Sequence, residues 1–318
     1  MKNIADVLNE KIKSMKSPIV VGLDPVLKEI PDCYKEKYAG TEDKFEAIGN
    51  ILFDFNKDII DVVCDIVPAV KPQIAFYEAY GSQGVLAFEK TVKYAKSKGM
   101  IAVEDGKRND IGNTAAAYAR GHLGKVDVGN SQEMDSINVD FLTVSPYLGA
   151  DSLDPFVEEC IKNNKGIFIL VKTSNPQAGY IQDVVDENGM KVYEIIAKYV
   201  AEQAEKFVGE GGYSPIGAVV GATYPEQAVE LRKVMPKSIF LVPGYGAQGA
   251  TAKDICNSFH SDGLGAIVNS SRGIIFAYKN KYTKEDCTRE QYMESVKEAT
   301  EEMKAGILDA LKQAGKNL

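Results

Sequence analysis

The sequence predicts an α/β protein of the (β/α)8 TIM-barrel class: a single domain over residues 1–318, with loop insertions and a C-terminal helix. Three observations carry this. Eight short runs rich in Val, Ile and Leu alternate with longer stretches of helical periodicity. The runs are apolar almost throughout, as parallel strands covered on both faces are. Nearly every run also ends in polar or glycine-containing residues: Asp24, Lys71, Asp105 with Lys107, Ser145, Thr173 with Ser174, Thr223, Gly244, and Ser270 to Gly273. A barrel gathers such ends on one face. An open doubly wound sheet also alternates strand and helix, but eight units in a row without a Pro/Ser-rich linker favour closure in one domain.

The elements follow in order. MKNIADVLNEKIKSMKSP (1–18) reads as a charged amphipathic helix and lacks the apolar core of a secretion signal. PIVVGLD (18–24) is the first strand, β-branched and closed by an acid. Residues 28–45 exceed a minimal barrel loop and read as an insertion leading into the helical pattern 42–65. IVPAVKP (66–72) is the second strand, ending in a lysine directly before a proline, and the helix 83–98 follows. GMIAVED (99–105) with 112–123 makes the third unit, and VDFLTVS (139–145) with 151–164 the fourth. GIFILVKT (166–173) is the fifth strand; residues 176–189 form a second insertion before the helix 190–208. Whether either insertion covers the barrel mouth or decorates the outside is open. SPIGAVVGAT (214–223) with 225–235, KSIFLVPG (237–244) with 250–259, and LGAIVNSS (264–271) complete the ring. The polar helix 288–316 closes the chain as barrel cover or subunit contact.

Composition narrows the function classes. A net charge of −8 and a pI near 5.1 supply no basic face for nucleic acid or an anionic membrane. Backbone N–H groups and one or two placed cations can still hold an anion. Five cysteines (Cys33, Cys64, Cys160, Cys256, Cys287), odd in number and without CxxC spacing, fit reduced thiols. His122 and His260 lie far apart and form no HExxH or His/Cys metal signature. No run of about 18 apolar residues is present to span a membrane, and the expected address is the cytoplasm.

Two segments point to an anionic substrate. LVPGYGAQGA (241–250) carries glycines at 244, 246 and 249 after the seventh strand, and VNSSRGI (268–274) follows the eighth. Loops at these two places in such barrels frequently hold a phosphate. Gly244 and Gly246 would let the main chain approach closely, while Arg272 offers a fork of donors to two oxygens. A phosphorylated small molecule is the expected substrate.

The stretch VEDGKRNDIGNT (103–114) crowds charges of both signs onto a strand end. Lys71 and Asp105-x-Lys107 would meet in the mouth; two apart on an extended segment, Asp105 and Lys107 would point the same way. Asp110, at the start of the next helix, would reach a different pocket. Opposite neighbours keep each group charged at neutral pH. Such an array suits a reaction that develops negative charge on carbon and then quenches it with a proton. D-x-K-x-x-D alone would read as a surface cluster. Phe76, Tyr77 and Tyr80 read as packing, and His122 and His260 as bystanders.

With VGLDP (21–25), VKPQIAFYEAYG (70–81), EDGKRNDIGNT (104–114), TVSPYLG (143–149), VKTSNPQAG (171–179), VPGYGAQGA (242–250) and VNSSRGI (268–274) in view, most of the chain resembles the orotidine 5′-monophosphate decarboxylase family, in its longer bacterial branch. The resemblance implies conversion of orotidine 5′-monophosphate to UMP and carbon dioxide, the last step of pyrimidine nucleotide synthesis, without metal or cofactor. It implies a tetrad of Lys71, Asp105, Lys107 and Asp110 in a homodimer, with Asp110 and Thr114 reaching the neighbouring subunit's site. Lys107 would protonate C6, Asp105 would stand beside the departing carboxylate, and Lys71 would bind ribose and hold Asp105. Asp24 would bind a ribose hydroxyl and Ser174 the pyrimidine. Gln248 would bridge base and phosphate, and Arg272 would clamp the phosphate with Gly244 and Gly246 beside it.

The nearest competitor is a sugar-phosphate lyase on a related barrel, using Mg²⁺ to stabilise an enediolate. Such an enzyme would want a carboxylate after the second strand. Lys71 occupies that strand end, and Glu78 lies several residues further on. A non-catalytic nucleotide-binding barrel would gain little from juxtaposed ionised groups that cost desolvation energy.

Overall fold

A computed structural model describes residues 2–246 and 251–318. Among them are the strands β1 (Ile19–Leu23), β2 (Ala69–Pro72), β3 (Ile101–Arg108), β4 (Lys125–Asp127), β5 (Glu133–Asp135), β6 (Phe141–Val144), β7 (Gly166–Lys172), β8 (Ser214–Val220), β9 (Ser238–Val242) and β10 (Ala266–Ser270). Eight of them close a parallel barrel in the order β1-β10-β9-β8-β7-β6-β3-β2, with β2 pairing back onto β1. The (β/α)8 class predicted from the sequence is the observed one.

The period of two along each strand sorts side chains into two cores. Val20, Ala69, Val103, Phe141, Phe168 and Leu241 share one buried cluster filling the barrel. Their sequence neighbours Val21, Val70, Ala102, Leu142, Ile167 and Phe240 belong to a second, packed beneath the helices. Inside the barrel the rings of Phe141 and Phe168 stack with centroids 5.0 Å apart. Gly166 and Gly217 make room for them, since a Cβ on either would meet a ring atom at 2.3 or 2.7 Å. The helix Ile4–Met15 stoppers the opposite end, burying Ile4, Leu8 and Ile12 in the same inner cluster. The i, i+4, i+8 spacing of these residues puts them on one face. Asp6 of this helix accepts the backbone N–H of Glu210 and Gly211 at 3.0 and 2.8 Å, which fixes the stopper beneath β8.

The helices expected from periodicity are present at Lys44–Val63, Gly81–Ser97, Gly112–Leu123, Asp154–Asn163, Val192–Glu205 and Pro225–Val234. The pattern at 250–259 resolves into one turn, Ala252–Ile255, followed by a 3-10 turn. The closing helix Arg289–Gln313 is barrel cover: its Tyr292, Val296, Met303, Ile307 and Leu311 are buried. Tyr292 packs against Phe55 and Tyr34, with centroids 5.1 and 5.5 Å away. The insertion 28–45 carries Tyr34 to this contact and decorates the outside. The insertion 176–189 instead reaches the barrel mouth. The antiparallel pair β4–β5 after the helix Gly112–Leu123 is not foreseen by the sequence reading; its residues are mostly exposed and charged, so no apolar alternation marks them. No helix among the described residues is long and apolar enough to cross a membrane.

Candidate active site

At the C-terminal end of the barrel the inward-facing rows turn polar. Two residues beyond Ala69 stands Lys71; two beyond Val103, Asp105; two beyond Phe141, Thr143. Lys71, only 4% exposed, donates from Nζ to Asp105 Oδ2 at 2.7 Å. Lys107 donates from Nζ to Asp105 Oδ1 at 2.6 Å, and Thr143 Oγ1 donates to the same oxygen at 3.0 Å. Both oxygens of one carboxylate are therefore engaged by charged or hydroxyl donors.

Lys107 does not sit on the evenly extended segment that the sequence suggests. The register of β3 against β6 shifts between Glu104 and Arg108, and Lys107 has φ 46°, in the left-handed region. A non-glycine residue there costs on the order of 1–3 kcal/mol and persists only where surrounding contacts enforce it. The enforcing contact is Thr143, whose Oγ1 accepts the Lys107 backbone N–H at 2.9 Å. The bulge turns the Lys107 side chain back onto Asp105, while Lys107 itself remains exposed to the cavity.

Burial opposes charge on both members of the inner pair, and the pairing overrides it. Desolvation alone would raise the Asp105 carboxyl, but Lys71 and Lys107 hold it well below the usual carboxylate range. Desolvation alone would lower Lys71, but Asp105 and Asp24 raise it above the ordinary lysine value. The linkage has two limbs. The depressed carboxyl contributes stability present above its ordinary value of 3.8 and lost as pH falls through the folded value. The raised ammonium contributes stability present below 10.5 and lost as pH rises through its folded value. The stability difference between wild type and Asp105→Asn is thus expected to be flat across neutral pH and to narrow under acid. Urea titrations across the pH range measure it; a difference that changed between about pH 6 and 8 would contradict the assignment.

Lys71, Asp105, Lys107, Thr143 and Ser174 line one cavity of about 430 Å³ with Gln182. A larger, mainly apolar cavity of about 730 Å³ adjoins it, sharing Leu170, Asn175 and Gln182. Both volumes suit small molecules. Asp24 is not in the lining, but its Oδ1 is buried without a hydrogen-bond partner among the described residues, and its charge acts on Lys71. Gly244 and Gly246 have φ 103° and 69°, so the turn after β9 depends on glycine at both. Arg272 is exposed at the start of the one-turn helix Arg272–Ile275 after β10. Gln248 lies outside the described residues. Asp110 and Thr114 are not brought to this chain's own cavity; Asp110 Oδ1 accepts the Ile111 N–H at 2.9 Å, and Thr114 is exposed on the next helix.

Three features escape the sequence reading. Thr143 cross-links Asp105 to the Lys107 backbone; the inward alternation Phe141, Thr143 could have shown it. His122, read as a bystander to function, has a structural contact: its Nδ1 lies 2.8 Å from Oε2 of fully buried Glu104, tying β3 to the helix Gly112–Leu123. Gln182 comes from the insertion, where no periodicity marks it. Tyr77 is buried packing as expected, accepting from Asn56 and donating to Leu23 O. Glu78 pairs with Arg108 at 2.7 Å. Among the described residues no group of three or more His, Cys, Asp or Glu is placed to hold a metal ion.

A closed parallel barrel with a lysine–aspartate–lysine array at its C-terminal mouth defines a (β/α)8-barrel enzyme. Residues 17–286 match the family described as orotidine 5′-phosphate decarboxylase / HUMPS. The chain is 44% identical over 303 residues to the orotidine 5′-phosphate decarboxylase of Rhodopirellula baltica, covering 95% of this chain and 98% of that one. It is 41% identical over 308 residues to the enzyme of the same name from Caldicellulosiruptor bescii, covering 96% and 100%. Among solved structures it resembles the OMP decarboxylase of Leishmania donovani, at TM-score 0.69 and 27% identity over 97% of this chain and 98% of that one. The chain belongs to the orotidine 5′-phosphate decarboxylase family, and it is a carboxy-lyase.

Proposed function

We propose that this enzyme decarboxylates orotidine 5′-monophosphate without metal or cofactor, through the Lys71–Asp105–Lys107 array. The observation that carries the reading is the ionised Asp105 held between two lysines at the cavity wall, 2.7 and 2.6 Å from their amines. The substrate carboxylate sits beside Asp105. As the C6–carboxylate bond breaks, carbon dioxide leaves and the electron pair stays on C6. Lys107 stands where that charge develops, stabilises it, then delivers a proton to C6 and is reprotonated from solvent. Lys71 holds Asp105 and, with the unpartnered oxygen of Asp24, takes ribose hydroxyls. Ser174 meets the pyrimidine, Gln248 bridges base and phosphate, and Arg272 clamps the phosphate with Gly244 and Gly246 beside it. UMP is the product.

Asp110 and Thr114 act in the partner's cavity in a cytoplasmic homodimer. Supporting this, Ile111, Tyr118, Val128 and Met134 form an exposed apolar set on and beside the helix that carries Thr114. The ultraviolet loss of orotidine 5′-monophosphate in excess EDTA tests the reaction: steady conversion to UMP is expected, and a folded dimer that converts none would refute it.

Phosphate contacts lie away from C6, so their binding energy serves to assemble the site around the base. Orotidine, which lacks the phosphate, is expected to be turned over with kcat/KM lower by orders of magnitude. Comparable efficiency on the two substrates would remove the phosphate role.

A further inference from the structure

The connection from β7 to the helix Val192–Glu205 carries Ser174 into the cavity, and it is fastened at its root. Gln182, in the single turn Gly179–Gln182, spans back to the strand end. Its Oε1 accepts the Thr173 N–H at 3.1 Å and its Nε2 donates to Thr173 Oγ1 at 2.8 Å. Thr173 Oγ1 in turn donates to Asn175 Oδ1 at 2.7 Å, so the residues on either side of Ser174 are both held. Next along, Asp183 takes the ammonium of Lys172 at 2.7 Å; Lys172 is 1% exposed and lies between the rings of Tyr193 and Tyr224, 5.1 Å from each centroid. On the other side the residue just past β8 comes flush against Ser174: a Cβ on Gly221 would meet its Cβ, Cα and N at 2.8 to 2.9 Å. Ser174 is thus gripped from both sides, and Gln182 itself forms part of the cavity wall with Lys107 and Asp105.

We propose that Gln182 is a positioning residue of the reaction, acting through Ser174. Each end of its amide bonds Thr173, so it fixes the loop at the strand end. The inference rests on the decarboxylase reading. Without Gln182 the strand end keeps its fold, because Lys172–Asp183 and Gly221 remain, but Ser174 loses its fixed setting against the base. A misplacement near 1 Å costs roughly 10²-fold in rate.

A double-mutant cycle on Gln182 and Ser174 tests this, reading kcat and KM for orotidine 5′-monophosphate and the affinity for UMP and for ribose 5-phosphate. Gln182→Ala is expected to lower kcat/KM by about 10- to 100-fold and to weaken UMP, leaving ribose 5-phosphate unchanged because it has no base to misplace. In Ser174→Ala the same change is expected to add almost nothing. Gln182→Glu keeps the acceptor for the Thr173 N–H but loses the donor to the Thr173 hydroxyl, whose one hydrogen goes to Asn175, and is expected to restore only part of the loss. Additive effects in the cycle, or equal weakening of both ligands, would overturn the proposal while leaving the decarboxylase reading intact. An inactive wild type would sink that reading instead, and the UMP arm of the cycle would still report on Gln182.

Discussion

Lys107→Ala is expected to lower kcat by about 10⁴- to 10⁷-fold while the protein stays folded. The range multiplies the roughly 10²- to 10⁴-fold worth of a placed general acid by the roughly 10²- to 10³-fold worth of one preorganised electrostatic contact. On the proposed mechanism both functions reside in a single ammonium, so one substitution removes them together. Folding is spared because the Lys107 side chain is 47% exposed, and Asp105 keeps Lys71 and Thr143 as partners. Affinity for UMP should change far less than kcat, since the phosphate and ribose contacts are untouched. Absorbance assays at high enzyme concentration, beside a thermal melt, measure both. A loss smaller than about tenfold would take the proton-delivery role away from Lys107.

The second large effect concerns Asp110. Homodimers of Lys107→Ala and of Asp110→Ala are each expected to be nearly inactive, and mixing them after dissociation should bring activity back. In a mixed dimer one site carries both defects. The other combines Lys107 of one chain with Asp110 of its neighbour, and is intact. Random pairing makes half the dimers mixed, with one good site of two, so recovery approaches about one quarter of wild type under two-fold symmetry. The geometry motivates this, since Asp110 is not among the residues lining its own chain's cavity. Mixtures that stay dead through a verified exchange of subunits would return Asp110 to its own chain.

Much of this molecule was legible in its sequence because the barrel obeys one rule. A period of two along apolar runs fixes which side chains face inward, and the same count, carried past the end of each run, put Lys71 and Asp105 at the mouth. The count fails where the backbone stops being regular. It treated Lys107 as a neighbour of Asp105 on a straight strand, whereas a bulge and a left-handed φ bring the two together. It passed over Thr143, a hydroxyl inside an apolar run, because its importance lies in contacts 36 and 38 residues away in the chain. It left the insertion 176–189 without a role because one short helical turn and an isolated bridge carry too little periodicity to read. His122 looked idle for a related reason: its partner Glu104 lies 18 residues away and inside a strand.

The stacked Phe141 and Phe168, with the helix Ile4–Met15 below them, give the barrel a solid floor. Among the described residues the chamber above it is accordingly a cup, closed at its rear. On the proposed reaction, carbon dioxide formed beside Asp105 would leave through the mouth by which the nucleotide enters. Traffic in and out would then share that mouth, which the Ser174 connection flanks.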